Sequence, residues 1–248
     1  MSAVAALAAG WVVVTSAAPL AAGQPAESRE VRQLVTFRWL PGQSRAARDI
    51  YRRQLTPIYR EIEAMRHVRA FAEVESPEPL DLMVVTHYAD LAAMDRANLE
   101  LMRPVAERPP VPMIYDRLAN MSLGHHDQFV EVLSPPAFAP APDGTLDVLE
   151  FVRVEPGFAD SFEQQVLSTV HGWEQQDDMR DIVLRSETAR FLVADGWDYL
   201  RTYAIRNLAA WQAYAAARGR HPAAIAVNRM VAARKTLILR EIDELRVR

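Results

Sequence analysis

An acid, a guanidinium and two phenols stand where an extended chain would turn them to one side. In the run Leu146 to Val154, strand alternation puts Glu150 on one face with Val148 and Val152. In Tyr199 to Ile205 it groups Arg201 with Tyr199 and Tyr203. A carboxyl beside an arginine and a tyrosine could act as a general base or orient a ligand hydroxyl, which makes Glu150, Arg201 and Tyr203 the candidate catalytic set. The same groups could also satisfy one another as a structural ion pair, or a bulge could turn Glu150 to water.

The histidines offer less. His125-His126-Asp127 could supply metal ligands, but neighbours on a strand point to opposite faces, so no metal site is assigned. His87 alternates with Met83 and Val85 and reads as a core histidine facing helices. His171 lies one residue beyond a helical apolar stripe and could ligate haem, although no second haem signature accompanies it. His221 precedes Pro222 and shapes a helix end or the mouth of a cavity. His67 has no evident partner. Among the 28 basic residues only Lys235 is a lysine, so Schiff-base chemistry has one candidate, in a strand-like run. There is no cysteine, which excludes disulfides, thiolate metal sites and thiol nucleophiles. No phosphate loop, dinucleotide fingerprint, nucleophile elbow or His-Glu-x-x-His occurs.

The elements that must position these residues follow one order, written twice. Arg38 to Gly42 recurs as Arg153 to Gly157, and Asp81-Leu82 through Asp90 to Met94 recurs as Asp198-Tyr199 through Asn207 to Trp211. In each copy a β-branched and aromatic run stops at Pro-Gly, Val31 to Leu40 and Thr145 to Glu155. A helical stretch follows, Ser44 to Met65 or Ala159 to Gln176, and Pro57 should bend or break the first. Two strands come next, 69–75 with 82–88 and 188–194 with 199–205, then a helix opening at Asp90 or Asn207. A closing strand ends each copy, 128–133 and 236–242.

This β-α-β-β-α-β order is the ferredoxin-like unit. The expected architecture is therefore α+β: two tandem ferredoxin-like repeats, residues 29–133 and 145–248, packed sheet to sheet as a pseudo-dimeric barrel, with a Pro-rich linker at 134–144. With the first and third strands adjacent, Glu150 should lie near Arg201 and Tyr203, and this set is expected to face the barrel interior. Leu200, Thr202 and Ala204 are expected to face helices. The matched positions of the first copy, Val35, Val84 and Thr86, with Phe37 beside them, make that half oily. Together with Tyr199 and His221 they complete the candidate ligand-binding set. The segment Pro104 to Gly124, with Met113, Tyr115 and Met121, has no counterpart in the second copy and reads as a lid or as packing across the outer helices.

On these residues the sequence resembles the dimeric α+β barrel superfamily, specifically its stress-responsive A/B-barrel and NIPSNAP-like branches. The strand ending in a basic residue, two others and Pro-Gly is one mark. The run Asp198, Leu208, Trp211, Tyr214 and His221-Pro222-Ala223-Ala224 is the other, with Ala224 replacing the family's final histidine. The resemblance implies the barrel fold. Its relatives include cofactor-free monooxygenases, lactone isomerases, aldoxime dehydratases and haem-dependent chlorite dismutases, so it specifies no single reaction.

Residues 1–28 carry one charge, Glu27, and an Ala-rich apolar stretch. This segment is expected to be an export signal cut between Ala18 and Gln24, or an anchoring helix, although the first positive side chain is Arg29. A net charge of −4 without charge blocks gives no footprint for nucleic acid, and none for membranes beyond this segment. The expected partner is a small apolar or aromatic molecule bound by a pseudo-dimeric monomer that could further oligomerise. Possible chemistry is cofactor-independent oxygenase or isomerase catalysis. The competing readings are a non-enzymatic protein whose barrel is filled by its own side chains, and a haem protein. An internal space of roughly 300 Å³ or more would favour a ligand.

Overall fold

The computed structural model describes residues 29–77, 79–105, 109–134, 142, 144–193 and 196–247. The N-terminal segment 1–28 and most of the predicted linker lie outside the described residues. In chain order the elements are β1 (Val31–Trp39), α1 (Ser44–Ile50), a wide π-helical turn (Tyr51–Leu55), α2 (Thr56–Glu61), β2 (Met65–Glu75), β3 (Leu82–Tyr88), α3 (Leu91–Met102), α4 (Val111–Ala119) and β4 (Ser122–Ser134). There follow β5 (Leu146–Val154), α5 (Ala159–Gln165), a second π-helical turn (Val166–Val170), α6 (His171–Glu174), α7 (Asp177–Arg180), β6 (Val183–Phe191), β7 (Tyr199–Ile205), α8 (Leu208–Arg218), α9 (Pro222–Asn228) and β8 (Val231–Glu241). The strands close into an antiparallel barrel in the order β1-β3-β2-β8-β5-β7-β6-β4. The first four strands and the last four keep the same neighbour order, and the joins are β2 to β8 and β4 to β6.

The repeated sequence motifs have visible local work. Gly42 and Gly157 take φ of 80° and 86°, a region that a side chain disfavours, so each Pro-Gly turns the chain out of its strand. Asp81 accepts the Trp39 N–H at 2.8 Å, and Asp198 accepts the Val154 N–H at 2.7 Å, tying the end of the first strand of each set to the start of the third. Asp90 and Asn207 cap α3 and α8 by accepting the N–H of Ala93 and Ala210. Pro57 interrupts helical bonding as expected, and the chain absorbs it by entering α2 from the wide turn with Pro57 in the first helical turn. No proline stands in the equivalent turn Val166–Val170, so this turn belongs to the architecture as well as to Pro57.

Three apolar cores separate the sheet's two faces. One lies between β1 to β3 and the helices α1 to α4, and a second between β5 to β8 and α5 to α9. The third fills the barrel lumen with Leu34, Phe71, Met83, Val85, Val130, Leu149, Phe151, Leu200, Leu237 and Leu239. This inverts the expected faces. The odd positions of β7, Tyr199, Arg201, Tyr203 and Ile205, lie under helices, and Leu200 points into the lumen. The reason is ring packing. The sheet–helix gap admits large rings, and Tyr199 packs on Phe162 and Tyr203 on Trp211 and Tyr214, with centroids 4.8, 5.4 and 5.1 Å apart. The lumen takes its own rings from the opposite faces of the strands, Phe71 and Phe151, with Phe191 and Trp197 against Phe151. Pro104 to Gly124 contains α4, whose Val111, Ile114 and Leu118 are buried in the first helical core, so its described residues pack across the outer helices, the second of the two readings.

Candidate functional site

Charged side chains gather in the helix-covered layer of the second half. The pairing of β5 with β7 sets Glu150 opposite Arg201, and Val148 opposite Tyr203, so the first and third strands of this half are neighbours as expected. Glu150, 1% exposed, accepts two bonds from Arg218 at 2.7 and 3.0 Å and one from the Tyr203 hydroxyl at 3.1 Å; Arg234 stands 3.6 Å away. Arg201 does not pair with Glu150. Its terminal nitrogen donates to both oxygens of Glu174 at 2.8 and 2.9 Å, and Tyr214 donates a short hydrogen bond to the same carboxylate. The Nε of Arg201 is buried with no partner among the described residues.

The sequence reading missed Glu174, Arg218 and Arg234 as members of this network. Arg218 lies four residues after Tyr214 on α8, hence on the same face, and that spacing was a usable signal. Glu174 closes α6, and Arg234 reaches in from β8, the neighbour of β5; only the three-dimensional pairing brings them here.

Burial pushes the Glu150 carboxyl up, but Arg218, with Arg234 and Arg201 behind it, outweighs this and holds it below the usual carboxylate range. Burial raises the Tyr203 and Tyr214 hydroxyls well above the ordinary phenol value, so both act as hydrogen-bond donors. Glu150 is thus an ionised, fully bonded anchor, ill suited to the general-base role considered above. A small cleft opens beside the network, lined by Val152, Phe162, Val170, Ala224 and Val227 with Arg201, Arg218, Arg234 and Asn228. Its enclosed space is about 10 Å³, room for one water. Of the predicted catalytic set only Arg201 lines it, while Glu150 and Tyr203 stand behind, holding Arg218 and each other.

The predicted ligand-binding residues do not share one lumen. Val35, Phe37, Val84 and Thr86 lie on the helix-covered side of the first half, where Phe37 stacks on Trp39 at 4.9 Å. Tyr199 lies in the second half and donates to the Ala159 carbonyl, and His221 stacks on Trp173 at 4.5 Å. Alternation pairs each set correctly, but the inverted face separates the two halves' sets into two layers. His87 faces the lumen side and contacts Glu30 at 2.9 Å, with His67 edge-on to its ring. It is satisfied, as expected, but on the opposite face. Lys235 lies 5.8 Å from the Phe151 ring on the lumen side. Among the described residues no group of three His, Asp or Glu side chains could hold a metal.

His171 meets hydroxyls at both ring nitrogens, Ser186 at Nδ1 (3.1 Å), and Thr188 and Ser134 at Nε2 (3.0 and 3.2 Å). Burial, reinforced by Arg201, lowers its pKa to about 4. No nitrogen of His171 is left for an iron, and the cleft beside it is far smaller than a porphyrin, so the residues present do not fit haem.

Neither a protein-family model nor a curated protein matches the sequence. Solved structures do match its fold. A protein from Fusobacterium nucleatum with a provisional monooxygenase assignment shares 10% identity over 87% of this chain and 94% of its own, with a TM-score of 0.62. An anthrone oxidase-like protein shares 12% identity over 87% and 92%, with a TM-score of 0.59. A variant of chlorite dismutase from Candidatus Nitrospira defluvii shares 12% identity over 89% and 95%, with a TM-score of 0.56. At these identities the likeness is one of fold, that of ferredoxin-like α+β barrel proteins.

Proposed function

We propose that this chain is an exported α+β-barrel protein that binds a small, largely apolar or aromatic molecule in the sheet–helix cleft of its second half and oxidises it without a cofactor. In this reading residues 1–28 are the export segment, and 29–133 and 145–248 are tandem ferredoxin-like repeats joined by 134–144, of the NIPSNAP-like kind. Nucleic acid and membrane have no part in it beyond the export segment. The observation that carries the reading is the convergence of Arg201, Arg218, Arg234 and Asn228 on an otherwise apolar cleft, while the first-half position matched to Arg201 carries Val84. The monooxygenase and anthrone oxidase-like names among the fold neighbours agree with it. Because the closed cleft holds about one water, an aromatic ligand enters only if α8 and α9 move off the sheet.

The test is dioxygen uptake by the full chain with 1,8-dihydroxyanthrone, followed at the quinone absorbance. One dioxygen consumed per quinone formed, at a rate above buffer and lost in Arg201→Met, supports the reading; the buffer rate throughout contradicts its oxidative half.

The packed lumen, and a cleft of about 10 Å³ where roughly 300 Å³ would favour a ligand, support a second reading, a non-enzymatic protein whose barrel is filled by its own side chains. Failure of every aromatic probe to bind would leave that reading standing. Haem is a third reading, which the engaged nitrogens of His171 disfavour. Added haem is expected to give no Soret band that depends on His171, and a band lost in His171→Ala would contradict this.

A further inference from the structure

The charges of the cleft do not balance. Glu150 and Glu174 are buried acceptors, each receiving guanidinium and phenol donors, while Arg201, Arg218 and Arg234 bring three cations to the same network. His171 is neutral at physiological pH, and both phenols keep their protons, so among the described residues one positive charge is left over. A surplus charge in a layer walled by Val152, Phe162, Val170, Ala224 and Val227 is expensive unless something neutralises it. Arg234 is the least committed of the three: it donates to Asn228 at 2.9 Å, stands 3.6 Å from an already occupied Glu150, and keeps 26% of its side chain exposed at the cleft's edge. Burial and the neighbouring Arg218 lower its pKa, as a cation short of counter-charge would show. At the inner end the Nε of Arg201, on a side chain only 3% exposed, has no acceptor among the described residues, although Arg201 lines the cleft. A buried guanidinium N–H left unbonded costs free energy that a single acceptor atom would recover.

We infer that the ligand of this cleft is a monoanion with an apolar or aromatic body, whose anionic oxygen sits between the Nε of Arg201 and the guanidinium of Arg234. The inference rests on the proposed binding role of the cleft and adds the charge of what it binds. The space beside Arg201 admits about one oxygen atom with the helices closed, which suits the head of a carboxylate; the body occupies the apolar wall once α9 moves. Neutral hydrocarbons gain only the wall, and cations meet repulsion from three guanidiniums.

The experiment titrates the full chain with 2-naphthoate, 2-methylnaphthalene and 2-naphthylmethylammonium, reading the fluorescence of Trp173 and Trp211, which pack in this layer. The naphthoate is expected to bind at least about tenfold more tightly than the neutral compound, as one hydrogen bond to a charged group allows, and the ammonium not at all. Arg234→Gln should remove most of that preference, read as the ratio of the two affinities within each variant, and Arg234→Lys should restore part of it. Far-UV circular dichroism and the thermal midpoint show whether each variant is folded. Equal binding of anion and neutral compound overturns the inference while leaving an aromatic site intact. Binding of neither overturns both. A preference for the anion that persists in Arg234→Gln and in Arg201→Met places the anion elsewhere and also overturns it.

Discussion

At the scale of single residues, the second-half network is a pair of buried carboxylates, each held by an arginine and a tyrosine, and its members are not interchangeable. Removing Arg218 leaves the buried Glu150 with only the Tyr203 hydroxyl and Arg234 at 3.6 Å, so Arg218→Met should cost up to about 3–5 kcal/mol, more than the double variant Arg218→Met/Glu150→Leu. Urea unfolding of the two variants checks the order. His171 gives the residue scale its pH dependence. Its folded pKa, about 4, lies below the ordinary 6.5, so between those values the unfolded chain binds the extra proton and stability falls as pH drops. His87, also lowered to about 4 by burial and by Arg32, acts in the same window, and Glu30, held at about 2, adds its loss only below about pH 4.5. Thermal midpoints should therefore decline from pH 7 to pH 4, and His171→Asn should flatten that decline. An unchanged slope in the variant would contradict the neutral, buried imidazole.

At the scale of elements, the repeated motifs act as fasteners of local structure. Asp90→Ala and Asn207→Ala should each cost about 1 kcal/mol, the usual worth of a helix N-cap, and differential scanning calorimetry resolves that loss. Strands 82–88 and 199–205 were legible to the residue, because β-branched and aromatic runs between turn residues leave little choice of register. The ends of β2, β4, β6 and β8 were not. Their outer turns, such as Ser122 to Asp127, carry polar residues that look like loop until a neighbouring strand pairs with them, as β1 does here. The wide turns Tyr51–Leu55 and Val166–Val170 were invisible for a related reason: the apolar stripe continues through them, and one extra residue per turn leaves no compositional mark. Face was the costliest misreading. Alternation says which residues share a side but not which side is the lumen, and the small set Leu200, Thr202 and Ala204 does not decide it, because both faces of β7 are buried.

At the scale of the molecule, one closed sheet joins both halves through β2–β8 and β4–β6, and the lumen core draws on strands of each. Unfolding is thus expected to be a single cooperative transition, and Phe151→Ala, deep in the lumen, should lower its free energy by about 3–5 kcal/mol. Two separate transitions would mean that the halves hold together on their own. The central claim is that ligand chemistry sits in the sheet–helix layer of the second half and nowhere inside the barrel. A crystal soaked with 6-bromo-2-naphthoate locates the bound ring through the anomalous signal of its bromine. The account predicts that signal between β5, β7 and α9, with the carboxylate at Arg201 and Arg234; bromine in the lumen, in the first half, or in no ordered position would contradict it.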